Sequence, residues 1–451
     1  MSAIPASVAW HTPDPDWPNR MPLPVPPKNS APEVSTRNRL ADAYTGASTT
    51  AVAALSTDDT SASDTASQQG LTRFQRDRRP AKRAPYVIVG LSGGVDSAVA
   101  AARLLAMGCR VEGLFMKNWD DDTDNATTSQ CSAAEDYAAA RSVAEHLDIV
   151  LHKRNFSSAY RERVFAHFLA EHRAGRTPNP DVLCNREVKF GPFLEQARAL
   201  GADFVATGHY ARLLDGPAGS ELVRARDDHK DQTYFLHALN QHQLARALFP
   251  LGDLIKPDVR KIAAALALPN HARRDSTGIC FIGERDMRNF LSRYIETQSG
   301  PIKTPDGQII GEHPGLCFFT LGQRQGLGIG GVQGHSEAPW YVIEKQPGNN
   351  TLVVAQDAQH PRLMTAALTT ETFHWIATQP PTHDCRDLQV RLRHRGPLVA
   401  VRSWKIQANG GLRIELADAQ RAVAPGQSAV IYRAARCLGG GVIDGIETDA
   451  D

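Results

Sequence analysis

A short strand, a glycine turn and a helix follow one another in PYVIVGLSGGVDSAVAAARLLAMG, which begins at Pro85. The β-branched run YVIVGL is typical of a strand buried in a parallel sheet. The turn SGGVDS (residues 92–97) leads into a helix with one apolar stripe. Glycines at such a place let the backbone approach a ligand and point several N–H groups at one anion. The segment predicts a phosphate-binding turn, although it lacks the Lys-Ser/Thr pair of the commonest phosphate loop.

Strands and helices alternate after this turn, from RVEGLFM through the helix AAEDYAAARSVAEHL to the strand DFVATGHY. This alternation predicts the α/β class, with a doubly wound parallel sheet. From about residue 300 short strands lie between Gly, Pro and Asn turns, which favours antiparallel β-structure. We therefore predict a catalytic domain at 85–285, a central β-rich domain at 286–362 and a C-terminal β-barrel at 363–445.

Residues 1–84 have a different composition, with nine of the 28 prolines in the first 32 positions. We expect this extension to be disordered, because it has too few apolar residues to offset chain entropy. It ends in the basic run TRFQRDRRPAKR, so it is either inert or an RNA-contacting tail.

The overall composition gives limited information on the class of protein, and a polyanion such as RNA would have to be bound by local basic patches. The net charge of +1 shows no global basicity. The sequence contains no run of 18 apolar residues, so no membrane span is predicted. Seven scattered cysteines without a CxxC pair argue against structural zinc and for a reducing, cytoplasmic location.

Two cysteines stand in turn-rich segments flanked by cations. Cys184 lies in GRTPNPDVLCNREVKF, between a proline-containing loop and an expected helix, and Cys280 lies in DSTGICFIG. A lone cysteine of this kind is more often a small core residue. As a pair they could exchange sulfur, one carrying a persulfide and the other resolving it as a disulfide.

The motifs SGGVDS, GLFMKNW, AGRTPNPDVLCN, ATGHY, KDQTYFL, DSTGICFIGER, TLGQRQGLGIGG and PGQSAVIY occur in this order. SGGVDS resembles the signature of the PP-loop ATP pyrophosphatases, and the whole set closely resembles the bacterial tRNA-specific 2-thiouridylase family over residues 86–445. The resemblance implies that the wobble uridine is adenylated by ATP at its C2 oxygen, with release of pyrophosphate. A cysteine persulfide then supplies sulfur, and AMP leaves.

The resemblance also implies roles for individual residues. Cys280 would carry the persulfide, and Cys184 would be the nucleophile that completes transfer, with a transient disulfide between them. The ATP-binding residues would be Gly90, Leu91, Ser92, Gly93, Gly94, Val95, Asp96 and Ser97, with Met116 and Gly208 near the adenosine. Mg²⁺ is expected with the phosphates rather than in a protein cluster.

The tRNA contacts implied in the same way fall in both halves of the chain. The target base would meet Asn179, Pro180 and Asp181, and Asp181 is either a proton shuttle or a hydrogen-bond partner of the uracil. The remaining contacts would be His209, Lys230, Asp231, Gln232, Arg393, His394 and Gln427. The family usually has Arg-Tyr where this chain has Arg393-His394, so an altered contact is expected at His394. A persulfide donor or relay protein is the other expected partner.

Two other classes of function remain open. An amide-forming PP-loop synthetase would need an ammonia source and would have no use for Cys184 and Cys280. A non-enzymatic tRNA-binding or redox-responsive protein would release no pyrophosphate. The intact SGGVDS argues against the second alternative.

Overall fold

The computed structural model describes residues 83–119, 127–217, 219–275, 286–382 and 386–448, with side chains from residue 133 in the second range. The extension predicted to be disordered lies outside these ranges except for its last two residues, and Cys280 also lies outside them. In the described ranges no helix is both long and apolar enough to cross a membrane.

The first domain is built on a parallel sheet of five strands in the order β3-β2-β1-β4-β7. Its strands are β1 (Tyr86–Gly90), β2 (Arg110–Lys117), β3 (Leu151–Asn155), β4 (Phe204–Ala206) and β7 (Ala247–Leu248). Successive side chains of β1 enter two different apolar clusters, Ile88 on one face and Val87 on the other. Burial on both faces explains the unbroken apolar run YVIVG, and the predicted doubly wound α/β fold is confirmed.

Helices cover both faces of this sheet. They are α1 (Val95–Ala106), α2 (Thr127–His146), α3 (Ser157–Tyr160), α4 (Ala166–Arg173), α5 (Pro180–Cys184), α6 (Pro192–Ala199), α7 (Thr233–Leu236), α8 (Gln241–Leu244), α9 (Lys256–Ala265) and α10 (Met287–Leu291). Two π-helical turns, Arg161–Phe165 and Asn185–Lys189, continue α3 and α5.

The central domain contains four strands in the order β10-β11-β8-β9. These are β8 (Gly300–Lys303), β9 (Ile309–His313), β10 (Tyr341–Gln346) and β11 (Thr351–Ala355), with 3₁₀ turns at Leu316–Phe318, Pro347–Asn349 and Pro361–Leu363. The predicted β-rich character of this part of the chain is confirmed, but the expectation of antiparallel pairing is wrong for β11 and β8, which run parallel.

The last domain is a closed antiparallel barrel, since β12 pairs with both β16 and β18. Its strands are β12 (Met364–Thr370), β13 (His374–Trp375), β14 (Leu388–Arg391), β15 (Val399–Ile406), β16 (Leu412–Arg421), β17 (Ser428–Arg433) and β18 (Arg436–Thr448). The predicted barrel is therefore confirmed.

A hairpin from the first domain extends the sheet of this barrel. It consists of β5 (Arg212–Gly216) and β6 (Gly219–Val223), and Leu222 of β6 pairs with Cys437 of β18. The first and last domains thus share backbone hydrogen bonds.

Candidate active site

The turn SGGVDS joins β1 to α1 at the carboxyl edge of the parallel sheet. Gly93 has a φ of +82°, and a Cβ placed there would collide with the carbonyl oxygen of Asp136. The Ser97 hydroxyl donates to the carbonyl oxygen of Gly94 at 2.9 Å and accepts from the backbone N–H of Ser92 at 3.3 Å. The turn is therefore closed on itself by Ser97, and its first glycine cannot carry a side chain without strain.

The N-terminus of α1 fits a phosphate group. Gly94 is its N-cap residue, and no side chain caps the helix. The first N–H groups of a helix have no partner within the helix, and the helix dipole favours an anion there. The turn and the start of α1 thus form a candidate anion cradle at residues 90–97, in which the N–H groups of Leu91, Ser92 and Gly94 already donate to Leu114, Ser97 and Ser92.

The other two residues expected near ATP lie on neighbouring strands. Gly208 follows β4, and a Cβ at Gly208 would lie 2.8 Å from the backbone nitrogen of Ser97, so its backbone packs directly on α1. Met116 lies in β2, partly buried against the larger apolar cluster. Asn118 follows β2, and both polar atoms of its buried amide lack a hydrogen-bond partner among the described residues. The Asn118 amide, at the same edge of the sheet, could therefore form hydrogen bonds with a ligand.

A network of ion pairs, which the sequence did not single out, lies beside the turn. The Lys256 ammonium lies 2.7 Å from Oδ1 of Asp96, the second residue of α1, and 2.7 Å from Oδ1 of Asp275. Asp275 also accepts from Lys230 at 2.7 Å and from Arg260 at 2.6 Å. Lys230, expected to contact tRNA, thus pairs with a carboxylate in the ion-pair network beside the turn.

Asp275 is a firmly charged carboxylate in this network. Partial burial acts to raise the pKa of its carboxyl, but hydrogen bonds from Lys230 and Lys256 outweigh burial and hold the pKa well below its usual value. Tyr210 donates from its hydroxyl to Asp96 at 2.9 Å, and burial followed by the nearby Asp96 charge raises the pKa of that phenol.

Two further side chains bind the carbonyl oxygen of Gly93 in the turn. Asn270 and Arg273 donate to the carbonyl oxygen of Gly93 at 2.8 and 3.2 Å, and Arg273 also pairs with Asp136 at 2.5 Å. Carbonyl and N–H groups of a trans peptide point in opposite directions, so these side chains lie on the carbonyl side of the Gly93–Gly94 peptide. Their position favours a structural role.

The second part of the site is the helix α5, and the motif NPD begins it. Asn179 is the N-cap residue, and its side-chain oxygen accepts from the backbone N–H of Asp181 at 3.2 Å. Pro180 occupies the first helical position, where its fixed φ suits the helix and no N–H is needed. Asn179 and Pro180 therefore also have a structural role, since they form the start of α5. This role is separate from the base contact that is expected for them.

The segment before α5 is held by both other domains. The backbone N–H of Thr177 donates to the carbonyl oxygen of Pro425. The carbonyl oxygen of Thr177 accepts from the side-chain amide of Gln427 at 2.8 Å. Its hydroxyl lies 3.0 Å from that of Thr320 in the central domain. Gln427, expected to contact tRNA, thus positions the loop that carries the NPD motif.

Cys184 lies within a helix and is fully buried at 0% exposure, in the apolar cluster that includes Val188 and Phe190. The expectation that it stands between a loop and a helix is wrong, because the helix begins before it, at Pro180. The π-helical turn Asn185–Lys189 follows immediately, and such turns are frequent at functional sites. Attack by this thiol requires that the surrounding side chains move aside.

The cations expected near Cys184 lie in different surroundings. Arg186 pairs with Glu187 at 2.6 Å and lines a cleft between the first domain and the barrel. The cleft has an empty volume of ≈ 620 Å³, part of it open to solvent, and Asn179 and Pro180 also line it. Lys189 lies near enough to His209 to lower the pKa of that imidazole, although burial is the larger cause.

The other expected tRNA contacts lie at different depths. His209 is 8% exposed, and its Nδ1 lies 2.7 Å from the Thr207 hydroxyl. Gln232 is half-buried and accepts from the backbone N–H of Tyr210. Asp231 is 2% exposed, and its carboxylate pairs with Arg391 of the barrel at 2.8 Å. Asp231 therefore joins two domains and has no surface for an RNA contact in this structure.

The two barrel residues expected to contact tRNA differ in exposure. Arg393 is exposed, whereas His394 is half-buried with its ring 4.3 Å from that of Phe235. Burial, followed by the charge of Arg395, lowers the pKa of His394. His394 is therefore a neutral packing residue here, with Nε2 lacking a hydrogen-bond partner among the described residues.

Comparison with known proteins covers both parts of this site. Three family models match the chain: a tRNA methyl transferase HUP domain at 85–284, a tRNA methyl transferase PRC-barrel domain at 288–356 and an aminomethyltransferase β-barrel domain at 365–443. The tRNA-specific 2-thiouridylase MnmA of Alkalilimnicola ehrlichii is 54% identical over 358 residues, which are 79% of this chain and 96% of that protein. The chain belongs to the tRNA-specific 2-thiouridylase family.

Other similarities agree with this family or are weaker. The tRNA-specific 2-thiouridylase MnmA of Sodalis glossinidius is 55% identical over 359 residues, again 79% of this chain and 96% of that protein. Among solved structures, the U34-tRNA thiolase NcsA of Methanococcus maripaludis covers 51% of this chain and 70% of its own, with 16% identity and a TM-score of 0.30. A likeness at that score carries no functional argument.

Proposed function

We propose that this chain replaces the C2 oxygen of the wobble uridine of tRNA by sulfur, with ATP as co-substrate. The observation that carries the proposal is the family membership, since identity of 54% extends over 79% of the chain. The matched region includes the anion cradle at 90–97 and the helix with Asp181 and Cys184. ATP supplies the adenylyl group that converts the C2 oxygen into a leaving group.

In this proposal the cradle binds the ATP phosphates while pyrophosphate leaves. Ser97 and Arg273 hold the turn in place, so the N–H groups at the start of α1 have a fixed direction toward an incoming anion. Mg²⁺ remains a prediction. We propose that the ion binds together with the phosphates, whose negative charge it neutralises. In the described ranges no group of three His, Cys, Asp or Glu residues could hold a metal ion.

Asp181 and its neighbours have the task of positioning the base. A base in an anticodon loop must be splayed out of its stack before a protein group can reach C2. Asn179 and Pro180 hold the start of α5 in one geometry, and Thr177 ties that geometry to both other domains. In this proposal Asp181, on the first turn of α5, is either the proton shuttle or a hydrogen-bond partner of the uracil.

The sulfur step uses both cysteines and is balanced without another oxidant. The outer sulfur of a Cys280 persulfide bonds to C2 as the C2–O bond to AMP breaks. The Cys184 thiolate takes the inner sulfur, so the two cysteines lose two electrons and form a disulfide while the transferred sulfur gains them. An external thiol then reduces the disulfide. A persulfide donor protein and a cytoplasmic location belong to the same proposal.

The proposal is tested by the nucleosides that the protein produces. Purified protein is incubated with unmodified tRNA, ATP and a persulfide donor, and the digested tRNA is analysed by mass spectrometry. We expect 2-thiouridine from the wild type and at least about 100-fold less from Cys184→Ser, with ATP binding retained. Cys109→Ser is the matched control, because Cys109 is also buried but lies in the other apolar cluster. A methylated uridine, or normal thiolation by Cys184→Ser, contradicts the proposal.

A further inference from the structure

A glutamine from another helix binds the π-helical turn that follows Cys184. Gln243 lies in α8 and is 8% exposed. Its amide nitrogen donates to the carbonyl oxygens of Arg186 at 3.0 Å and Phe190 at 2.9 Å. We propose that Gln243 is a positioning residue for Cys184, because it holds the turn 185–189 in the register that sets the direction of the thiol. This inference rests on the proposed function, in that it takes Cys184 as the nucleophile of the sulfur step.

The π-helical register changes the hydrogen-bond partners of the backbone in this turn. The N–H of Phe190 donates to the carbonyl oxygen of Asn185, five residues back, at 2.9 Å. In an α-helix the same N–H would donate to the carbonyl oxygen of Arg186, four residues back. That oxygen accepts from Gln243 instead. The Gln243 amide therefore replaces the bond that is lost in the π-helical register.

The register matters for the direction of the thiol. A π-helical turn contains one residue more than an α-helical turn closed by the same kind of bond. A change to the α-helical register would therefore turn Cys184 relative to Phe190 by about 100°, the angle of one residue.

The Gln243 amide is itself fixed, since both its oxygen and its nitrogen have partners. The oxygen accepts from the backbone N–H of Asn240 at 3.0 Å, and the side-chain oxygen of Asn240 accepts from the backbone N–H of Gln243 at 3.0 Å. This reciprocal pair is a capping box at the start of α8. Because only the amide nitrogen can donate to the two carbonyl oxygens of the turn, the orientation of the amide is determined.

Packing joins the same parts of the molecule. Cys184, Val188 and Phe190 lie in one buried apolar cluster with Leu244 of α8. Protein interiors are close-packed, so a shift of the turn against α8 would also move the side chains around the thiol. Loss of the two hydrogen bonds from Gln243 should therefore both misdirect the thiol and loosen its surroundings.

Gln241, in the same helix, offers a matched control. Its amide nitrogen also donates to two carbonyl oxygens, those of Ser220 at 2.9 Å and Ile376 at 2.8 Å, and its oxygen accepts from the backbone N–H of Ser220 at 2.8 Å. These partners belong to the hairpin β5–β6 and to the residue after β13, and not to the turn beside Cys184. The same substitution at the two glutamines therefore separates positioning of the thiol from a general loss of stability.

The test compares Gln243→Glu with Gln241→Glu, since a carboxylate cannot donate to a carbonyl oxygen. Each protein is alkylated with iodoacetamide, and mass spectrometry follows the rates at Cys184 and at Cys109 of the other apolar cluster. We expect Gln243→Glu to raise the rate at Cys184 at least about fivefold, because the loosened turn opens more often, and to leave the rate at Cys109 within about twofold.

The second readout is the rate of 2-thiouridine formation. In Gln243→Glu we expect kcat to fall at least about tenfold, with the KM values for tRNA and ATP within about twofold, because a misdirected thiol slows the sulfur step and not binding. Gln241→Glu should keep the wild-type alkylation rate at Cys184 and a kcat within about threefold, even where its melting temperature falls as far as that of Gln243→Glu.

Two outcomes would overturn the inference. One is an unchanged kcat in Gln243→Glu, and the other is an equal change at Cys184 in Gln241→Glu, which would indicate general loosening. If Gln243→Glu does not fold, Gln243→Met removes the donor without adding a charge and must show the same two changes. A wild type that makes no 2-thiouridine, together with faster alkylation of Cys184 in Gln243→Glu, contradicts the proposed function alone.

Discussion

The turn at 92–97 and the helix α5 carry two groups of candidate site residues in the first domain, and they are built differently. The turn is determined by its own residues, since Gly93 needs a positive φ and Ser97 closes the backbone on itself. Helix α5 begins with an equally local cap at Asn179. Its position, however, depends on hydrogen bonds from the barrel and on contact with the central domain at Thr177.

Exposure separates the two parts as well. Ser92 is exposed and α1 has no side-chain cap, so an anion can reach the cradle directly. Cys184 is fully buried, and the domain contacts around α5 surround it. Under the proposed function, activation by ATP should therefore depend on local geometry, whereas sulfur transfer should depend on how the domains fit together. The three predictions that follow test this division.

The largest effect is expected when the turn itself is changed by Gly93→Ala. The new Cβ would meet the Asp136 carbonyl oxygen and lie 2.9 Å from the Arg273 guanidinium, at a φ of +82°. We expect ATP affinity to fall at least about 100-fold, because the cradle must move away from its closed geometry. Calorimetric titration with ATP measures this effect.

Gly108→Ala is the control for Gly93→Ala. Gly108 has a φ of +81°, but a Cβ there has nothing within 4 Å. It therefore carries the same backbone strain without the collision and should cost about 1 kcal/mol of stability with ATP affinity unchanged. Equal ATP affinities of the two variants would contradict a locally determined cradle.

The second prediction concerns the ion pair that joins the first domain to the barrel. Asp231 is 2% exposed, and Asp231→Asn leaves the buried Arg391 guanidinium without its charged partner. We expect the free energy of unfolding to fall by about 3 kcal/mol or more, because an unpaired charge then stays buried. Thiolation should fall further than ATP binding, since the barrel also positions α5. Chemical denaturation measures the loss of stability. The nucleoside assay measures thiolation, and calorimetric titration measures ATP binding.

Two further variants sharpen the second prediction. Asp231→Asn combined with Arg391→Met removes both charges and should recover part of the lost stability. Glu145→Gln breaks a pair with Arg141 in which both side chains are 66% exposed, and should change stability by at most about 0.5 kcal/mol. Unchanged stability in Asp231→Asn would show that the domains do not depend on this pair.

The sequence predicts the first part of the site better than the second, for a physical reason. The strand YVIVG, its turn and the following helix are adjacent in the chain, so pattern and turn chemistry define them together. Lys256 escaped notice because LIKPDVRK is typical of an ordinary helix start, and only the fold brings that lysine to Asp96. Asp231 was expected at the tRNA, but its partner Arg391 lies 160 positions away and is not visible as a pair in the sequence.

The hairpin β5–β6 illustrates the same limit. Its two strands are close together in the chain, yet the pairing of Leu222 with Cys437 depends on the arrangement of whole domains. Sequence patterns define elements, whereas contacts between domains depend on burial and charge across long separations. For Cys184 the pattern indicated a reactive thiol but not its complete burial.

At neutral pH the smallest effect is expected from protonation of His237, which lies against Gly440 of the barrel, is 3% exposed and influences stability only in acid. Burial lowers the pKa of this imidazole to about 4, and a hydrogen bond to the Tyr234 carbonyl oxygen only partly opposes the shift. The unfolded chain takes up a proton near pH 6.5, and the folded chain does so only near pH 4. The free energy of unfolding should therefore be unaffected by this group above pH 6.5 and should fall by about 3 kcal/mol between pH 6.5 and 4.

His237→Gln should remove this contribution from the pH dependence of stability. Between pH 6 and 5 the slope should be smaller than that of the wild type by about 1.4 kcal/mol per pH unit, as measured by denaturation at several pH values. His172, whose pKa burial also lowers to about 4, keeps its own contribution in the variant. His229→Gln, at an exposed position, should leave the wild-type slope in place. An unchanged slope in His237→Gln would mean that the imidazole takes up its proton within the folded interface, and the contact between the domains would then be looser than that around the turn.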